Sequence, residues 1–491
     1  MNSSQSLLMP LQFITITLGQ NTTAFNPLSV DPIYDFAFEK LVPQYPKLFE
    51  NYSVIMRPSF VSSCTDDGRE QVLNTLADLY QERSFIMGQT IIFAPQMDVL
   101  VATSAAADTA YADKTRFPTV LSFSYGDMTV YGMTILHLLR HFKWRTLAII
   151  VDKLSGNDYA TKNLEMCRGT QSVMQKAIYE VNALEFTMDS TTASWERTLH
   201  NASLHSRIML CCTLTRPLRD LLATAADLRM DGGDYVFLSL YILQVPYQPP
   251  LRWQNADDLD KKVKRILSSL FVIRSPPVDW IKMRNLTHDI IQKRYLRTQV
   301  PVAPELAYNE IFVVGTEMVE VIAKVMESHR LSRTRQDRMT GTDLAKMFYN
   351  RTFHVSLTNT TVSMDHRGNR WAYPEVQQFH DSFQDFRTVF WFNPASAVLI
   401  SGGSDIVWNQ GFVPLDRADC MHSDRCPATV ASVRTTAIGV SVTTIGIVMA
   451  IVACLVRHRH QDDLAWWRIK RRHLKMTDLS MQLFIESCFV R

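Results

Sequence analysis

Tyr131–Val151 reads YGMTILHLLRHFKWRTLAIIV, and two different periods meet inside it. Tyr131, Ile135, Leu138, Leu139 and Phe142 recur at i, i+4, i+7, i+8 and i+11, the spacing of a helix with one core-facing stripe. The stripe stops near Lys143. Thr146–Val151 then runs TLAIIV, a strand apolar on both sides, as in a parallel sheet covered by helices on each face. A helix feeding such a strand is half of a βαβ unit.

The same alternation extends outward. Towards the N-terminus, Ser53–Pro58 reads as a strand and Arg69–Glu82 as a helix with Val72, Leu76 and Leu79 on one face; Phe85–Met87 and Val99–Ala102 read as short buried strands. Towards the C-terminus come a helix through Val173–Tyr179, strand Ile208–Cys212, helix Pro217–Leu228, a Gly232-Gly233 turn and strand Tyr235–Leu240. Two successive series predict an α/β fold with two doubly wound lobes. Long helices return at Val278–Arg297 and Leu306–Glu327, and Arg330–Arg338 reads as a solvated loop. Strands and turns follow from Phe353 to Ile400, with a hairpin turn at Asp365–Gly368, a core strand at Phe383–Phe392 and a turn at Ser401–Ser404. Because chain returns after both series, later segments complete each lobe. Lobe 1 is expected over about 10–143 and 277–350, and lobe 2 over about 144–276 and 351–415. Several crossovers then join the lobes and leave an interlobe cleft at the carboxyl ends of the strands, where open α/β sheets bind ligands.

Thr435–Val456, TTAIGVSVTTIGIVMAIVACLV, carries no charge. As a helix it would be roughly 33 Å long, enough to cross a hydrocarbon core of about 30 Å. Arg457, Arg459, Arg468, Lys470, Arg471, Arg472 and Lys475 follow it, whereas Arg417, Arg425 and Arg434 ahead of it are diluted by Asp416, Asp419 and Asp424. That asymmetry predicts a single-pass type I chain in the cell membrane, with an extracellular N-terminus and residues 457–491 as a cytosolic tail. His458, His460 and His473 then meet lipid headgroups, and Trp466 and Trp467 suit the interface. Met1–Gln20 has no Lys or Arg and is broken by Pro10 and Gln12; it reads either as a weak secretory signal or, preferably, as the first strand of the mature domain.

Sequons at Asn21, Asn51, Asn201, Asn285, Asn350 and Asn359 accumulate ahead of the span, marking candidate glycosylation sites of an exported domain. Of eight cysteines, Cys64, Cys167, Cys211, Cys212, Cys420 and Cys426 fall in the oxidising space. Cys420 and Cys426 are expected to close a small disulfide loop; with His422 they would lack a fourth metal ligand. Cys167 is expected to pair with Cys211 or Cys212, and Cys64 has no obvious partner. A net charge of +3, much of it behind the span, excludes the basic face that a nucleic-acid partner needs. No phosphate-binding glycine loop, GxSxG, HExxH or kinase catalytic loop occurs, so no catalytic residue, metal or cofactor is expected.

Lys114-Thr-Arg-Phe-Pro-Thr119, Asp127, His141-Phe142-Lys143-Trp144 and the following LAIIV resemble the receptor ligand-binding region of the periplasmic-binding-protein type I fold. Gly233-Asp-Tyr-Val-Phe237 resembles a strand of its second lobe. Asn350-Arg-Thr-Phe353 with Asp365, Gly368 and Arg370, the Cys420–Cys426 loop and Leu464-Ala-Trp-Trp-Arg-Ile469 resemble natriuretic-peptide-type receptor guanylate cyclases, in that order along residues 11–472. Polar residues expected at the cleft are Ser59, Ser62, Gly88, Gln89 and Ser104. The resemblance implies a chloride-binding turn near Ser59, Gly88 and Gln89, but the family's cysteine after the glycine is missing from Gly88-Gln-Thr-Ile91. The family's usual partner for Cys167, near Met230, is missing too.

The resemblance implies a receptor that binds an extracellular peptide or small-molecule ligand, forms a homodimer and signals by rearranging it, as the outer part of a guanylate cyclase making cyclic GMP. The cyclase domain itself would follow Lys475 and is expected to be absent from this chain. The alternative is a short-tailed clearance or decoy receptor without catalytic output. A class C receptor shares the two-lobed fold but would need seven spans.

Overall fold

The structure, a computed structural model, describes residues 12–19, 27–50, 52–60, 90–91, 100–104, 113–125, 128–152, 158–188, 192–242, 251–299, 308–332 and 340–417. The helix expected at Arg69–Glu82, the strand at Phe85–Met87 and the span at Thr435–Val456 lie outside these residues. No helix among the described residues is long and apolar enough to cross a membrane.

The chain opens with β1 (Gln12–Gly19), α1 (Pro27–Leu41), β2 (Ser53–Phe60), β3 (Thr90–Ile91), β4 (Val101–Thr103) and β5 (Val120–Ser122). A second series follows: α2 (Met128–His141), β6 (Thr146–Asp152), α3 (Asp158–Lys176), β7 (Asn182–Met188), α4 (Thr192–His205), β8 (Ile208–Cys212), α5 (Thr215–Asp227), β9 (Val236–Tyr241), α6 (Asp260–Ile266) and β10 (Leu270–Arg274). The closing elements are α7 (Trp280–Thr298), α8 (Glu310–Ser332), α9 (Gly341–Lys346), β11 (Thr352–Val355), β12 (Thr360–Ser363), β13 (Glu375–His380), β14 (Asp385–Asn393) and β15 (Val398–Ser401).

Two sets of cores define two lobes. In the first lobe, β1 pairs in parallel with β2 and β3, and β4 with β5. Its core joins Phe13, Ile33, Phe38 and Phe49 to Leu121 and Phe123, to Phe312, Val321 and Val325 of α8, and to Phe353, Val355 and Val362 of the hairpin. The second lobe is an eight-stranded sheet in the order β15-β14-β13-β10-β9-β8-β6-β7. The strands from β7 to β10 are parallel, and β13, β14 and β15 extend the sheet antiparallel.

Every residue of β6 is buried, as TLAIIV requires, because helices cover both faces. The strand pleat sends Leu147, Ile149 and Val151 towards α2 and α3, and Ala148 and Ile150 towards α4, α5 and α6. Helices α2 and α3 approach closely at two glycines. A Cβ on Gly132 would lie 2.9 Å from the Thr170 Cα, and one on Gly169 would lie 2.6 Å from the Met128 carbonyl oxygen.

The same pleat separates the adjacent cysteines. Cys212 faces α3 and forms a disulfide with Cys167, their Cα atoms 6.0 Å apart; Cys211 faces the opposite layer as a buried free thiol. Burial raises the Cys211 pKa to about 12, so that thiol stays protonated and inert.

The lobe boundaries differ from those expected. The stripe on α2 packs into the second lobe, so the first crossing falls between Tyr125 and Met128 rather than at residue 143. The β11–β12 hairpin packs into the first lobe, so the last crossing falls between Arg370 and Glu375 rather than at residue 350. A hydrophobic stripe states that a helix is packed, not on which neighbour. Phe383–Phe392 also differs from a core strand. Phe383 lies in the turn before β14 and is 58% exposed, and only the rest of the segment joins β14, near the sheet edge, where Val389 and Phe392 are buried.

Two polar clasps hold this framework. On α8, Glu320 accepts the Ser356 N–H at 2.6 Å, the Ser356 hydroxyl at 2.7 Å and the Leu357 N–H at 2.8 Å, and Lys324 lies 2.8 Å away. Burial works against this carboxylate, but those partners outweigh it and hold its pKa below the usual 4.5. A depressed folded pKa gives stability that is complete above the unfolded value and lost as pH falls through the folded one. Wild type is therefore expected to lose melting temperature more steeply than Glu320→Gln between about pH 5 and about pH 3. Parallel curves would show that the clasp contributes nothing.

The second clasp is the strap that follows β15. The Asp416 carboxylate accepts the Arg145 N–H at 2.6 Å and the Thr146 N–H at 2.8 Å, and its carbonyl accepts the Arg207 N–H at 2.8 Å. The Trp144 indole donates to the Pro414 carbonyl at 2.8 Å. Gln410 donates to the Gly232 carbonyl, the Ser268 hydroxyl to Asn409, and the Gln378 amide pairs both ways with the Val407 backbone. The strap thus runs beneath the amino-terminal ends of β6, β8, β9 and β10.

Candidate functional site

The opposite ends of those strands carry the candidate site. Strand order reverses between β6 and β8, since the chain leaves β6 for β7 on one side and returns to β8 on the other. At such a switch point the helices diverge and leave a crevice beyond the strand ends. Asp152 closes β6 and Thr213 follows β8; both are buried, and the Thr213 hydroxyl donates to the Asp152 carboxylate at 2.8 Å.

The neighbouring strands end in Tyr241 and Arg274. The Arg274 guanidinium lies 5.7 Å from the Tyr241 ring centre and 3.8 Å from Glu375, which opens β13 in register with it. Burial pushes the Tyr241 hydroxyl up to about 12; Arg274 opposes that shift and Glu310, the first residue of α8, adds to it. The Glu375 carboxyl is pushed up by burial, against the pull of Arg274 and Gln377.

The crossings between lobes lie at this same level. One leaves β5 at Tyr125 and enters α2, one leaves β10 at Arg274 and enters α7, and one runs from Arg370 into β13. Arg370 is buried at the third crossing and ties it to the first crossing and to α8. Its guanidinium reaches Glu317 at 2.5 Å and the Tyr125 hydroxyl at 2.5 Å, and lies 3.8 Å over the Tyr125 ring. The Tyr125 carbonyl in turn accepts the Tyr131 hydroxyl of α2 at 3.0 Å. The turn before it is set by Gly368 at φ +75°, and the Arg370 N–H donates to the Ser122 carbonyl at 2.7 Å.

Arg274, with a side chain 19% exposed, is the least buried of these groups and the one placed to meet a polar ligand here; Asp152, Thr213 and Glu375 are buried and shape the strand ends. Among the described residues no group of His, Cys, Asp or Glu is placed to hold a metal ion.

Of the residues expected from sequence, Ser104 stands half-buried just past the carboxyl end of β4. Ser59 is on β2 in register with Leu18. Ser62, Gly88, Gln89, Cys420, Cys426, Asn21 and Asn51 lie outside the described residues. Asn201 on α4 and Asn285 on α7 are exposed, as are Asn350 and Asn359, which take left-handed backbone at φ 55° and 51°. Asp152, Thr213, Tyr241 and Arg274 escaped the sequence reading. Each is the polar residue that ends or follows an apolar run, and that position was the available signal.

A mixed α/β architecture with a large, mainly parallel sheet and two packed cores fits a periplasmic-binding-protein-like ligand-binding receptor domain. Residues 88–379 match the receptor family ligand binding region, and the chain belongs to that family. It is similar to atrial natriuretic peptide receptor 3 of Homo sapiens, 23% identical over 246 residues that cover 49% of this chain and 42% of that protein. The Bos taurus protein of that name is 23% identical over 270 residues, covering 54% and 46%. Receptor-type guanylate cyclase gcy-28 of Caenorhabditis elegans is 23% identical over 274 residues, covering 51% of this chain and 20% of that protein. The matched region spans less than half the length of each of these relatives and corresponds to ligand binding alone.

Proposed function

We propose that the residues ahead of Thr435 form the extracellular part of a single-pass cell-surface receptor, anchored by Thr435–Val456. It binds a peptide of the natriuretic type and signals through rearrangement of a homodimer. The observation that supports this most is the family match, which reaches from the first lobe into β13 of the second and so includes every crossing. The names of the relatives supply the ligand class and, from gcy-28, the output: in a longer form of this protein a cyclase domain would make cyclic GMP. Asn201, Asn285, Asn350 and Asn359 would carry glycans together with Asn21 and Asn51, and Cys420–Cys426 would close a disulfide ahead of the bilayer. A ligand shifts such a receptor only by binding one arrangement more tightly than another.

The test uses the full chain with an N-terminal epitope on intact cells, titrated with labelled atrial natriuretic peptide. Antibody access without permeabilisation and saturable peptide binding are the expected results. An epitope reached only after permeabilisation would overturn the topology, and surface display without saturable binding would overturn the peptide ligand. Binding without a cyclic GMP response would favour a receptor lacking catalytic output.

A further inference from the structure

Exposed apolar side chains gather at the end of the second lobe that lies away from the candidate site. In an α/β lobe each helix hands the chain to the amino-terminal end of the next strand, so helix ends and strand starts share one face. Tyr179, between α3 and β7, is fully exposed. Leu204 in the last turn of α4 and Leu228 just past α5 face solvent on the way into β8 and β9. Across the same strand starts runs the strap, where Phe412 is 60% and Leu415 56% exposed. Its neighbours direct Leu415 outward: Pro414 is buried, and the Asp416 carboxylate is held by the Arg145 and Thr146 N–H groups. Exposed cations stand among these residues, Lys143 and Arg145 ahead of β6, Arg229 after α5 and Arg417 at the end of the strap.

Single exposed apolar residues are ordinary, but a set that shares one face of a lobe marks a surface that meets a protein or a membrane. Tyrosine and long cations suit a lipid headgroup layer, where the apolar body is buried and the polar tip stays in water. The chain selects between the two. Residues 418–434, 17 in all, separate the strap from Thr435, and a stretch of that length reaches at most about 60 Å however it is folded. We propose that this end of the second lobe rests on the outer leaflet of the bilayer, with Tyr179, Leu204, Leu228, Phe412 and Leu415 entering the headgroup layer. The contact rests on the reading of Thr435–Val456 as the membrane anchor. Because the anchor confines the lobe near the bilayer, contacts too weak to hold a free protein on lipid suffice for a tethered one. The candidate site, at the opposite ends of the strands, then faces away from the membrane.

The test places the full chain in phosphatidylcholine nanodiscs, at no more than one chain per disc, with a fluorescent amino acid in place of Phe412. Nitroxide carried on the lipid headgroups is expected to quench this reporter at least about twofold more than the same reporter at Ile281, exposed on α7 of the first lobe, because only a residue in the headgroup layer comes within about 10 Å of the nitroxides. The double variant Tyr179→Glu/Leu415→Glu, at two exposed positions, is expected to lower the quenching at 412 to the level at 281. Equal quenching at the two positions overturns the proposal. So does a reporter at 412 that is shielded from water but not quenched, the result expected if residues 418–434 cover the strap. Shielding that arises only at two chains per disc assigns the face to a second copy and overturns it likewise. A chain that does not enter the discs overturns the anchor itself, and the lipid contact falls with it.

Discussion

Replacing Arg370 with methionine is expected to destabilise the full chain by about 3–5 kcal/mol, the range for removing one partner of a buried ion pair. The substitution keeps the length of the side chain, so packing against Tyr125 survives while charge is lost. Among the described residues, Glu317 is then left fully buried with only the hydroxyls of Thr358 and Thr360 as polar partners. Those two hydroxyls cannot supply the countercharge. The double variant Glu317→Leu/Arg370→Met removes both charges and is expected to recover most of the loss. Chemical denaturation of the three proteins reads the difference. A single variant within about 1 kcal/mol of wild type would mean that the pair is not what holds the third crossing. Arg370→Lys separates charge from shape: an ammonium cannot reach Glu317 and Tyr125 in one plane, so it should restore only part of the stability.

Cys212→Ala is expected to cost about 4 kcal/mol, the loop-entropy value for a bridge closing a sequence separation of 45 residues. Cys211→Ala is the control. It removes a buried thiol of the same size from the other face of the sheet and should cost only about 1 kcal/mol. Reductant should lower the melting temperature of wild type and of Cys211→Ala but leave Cys212→Ala unchanged. Equal costs for the two alanine variants would refute the Cys167–Cys212 bridge.

Much of the second lobe was legible in its sequence because its central strands are buried on both faces. TLAIIV and IMLCC announce themselves as uninterrupted apolar runs, and the structure places strands on them. The edge strand β7 was not seen. NALEFTM is exposed along most of its length and has no such run, and the helix after it, TASWERTLHNASLH, is mostly polar. The choice between Cys211 and Cys212 was open for a related reason. Strand parity shows that the two face opposite layers, but only the sheet order shows which layer holds α3. The site was hardest to read. Asp152, Thr213, Tyr241 and Arg274 are separated by up to 122 positions in the sequence and become neighbours only through the parallel register of four strands.

The strap also has a mechanical meaning. Among the described residues its hydrogen bonds to other segments go to the half of the molecule built on β6, β8, β9, β10 and β13, so the strap up to Arg417 follows the tilt of that half. A hinge motion that turned it by a few degrees would carry Arg417 with it, as a crank carries its pin.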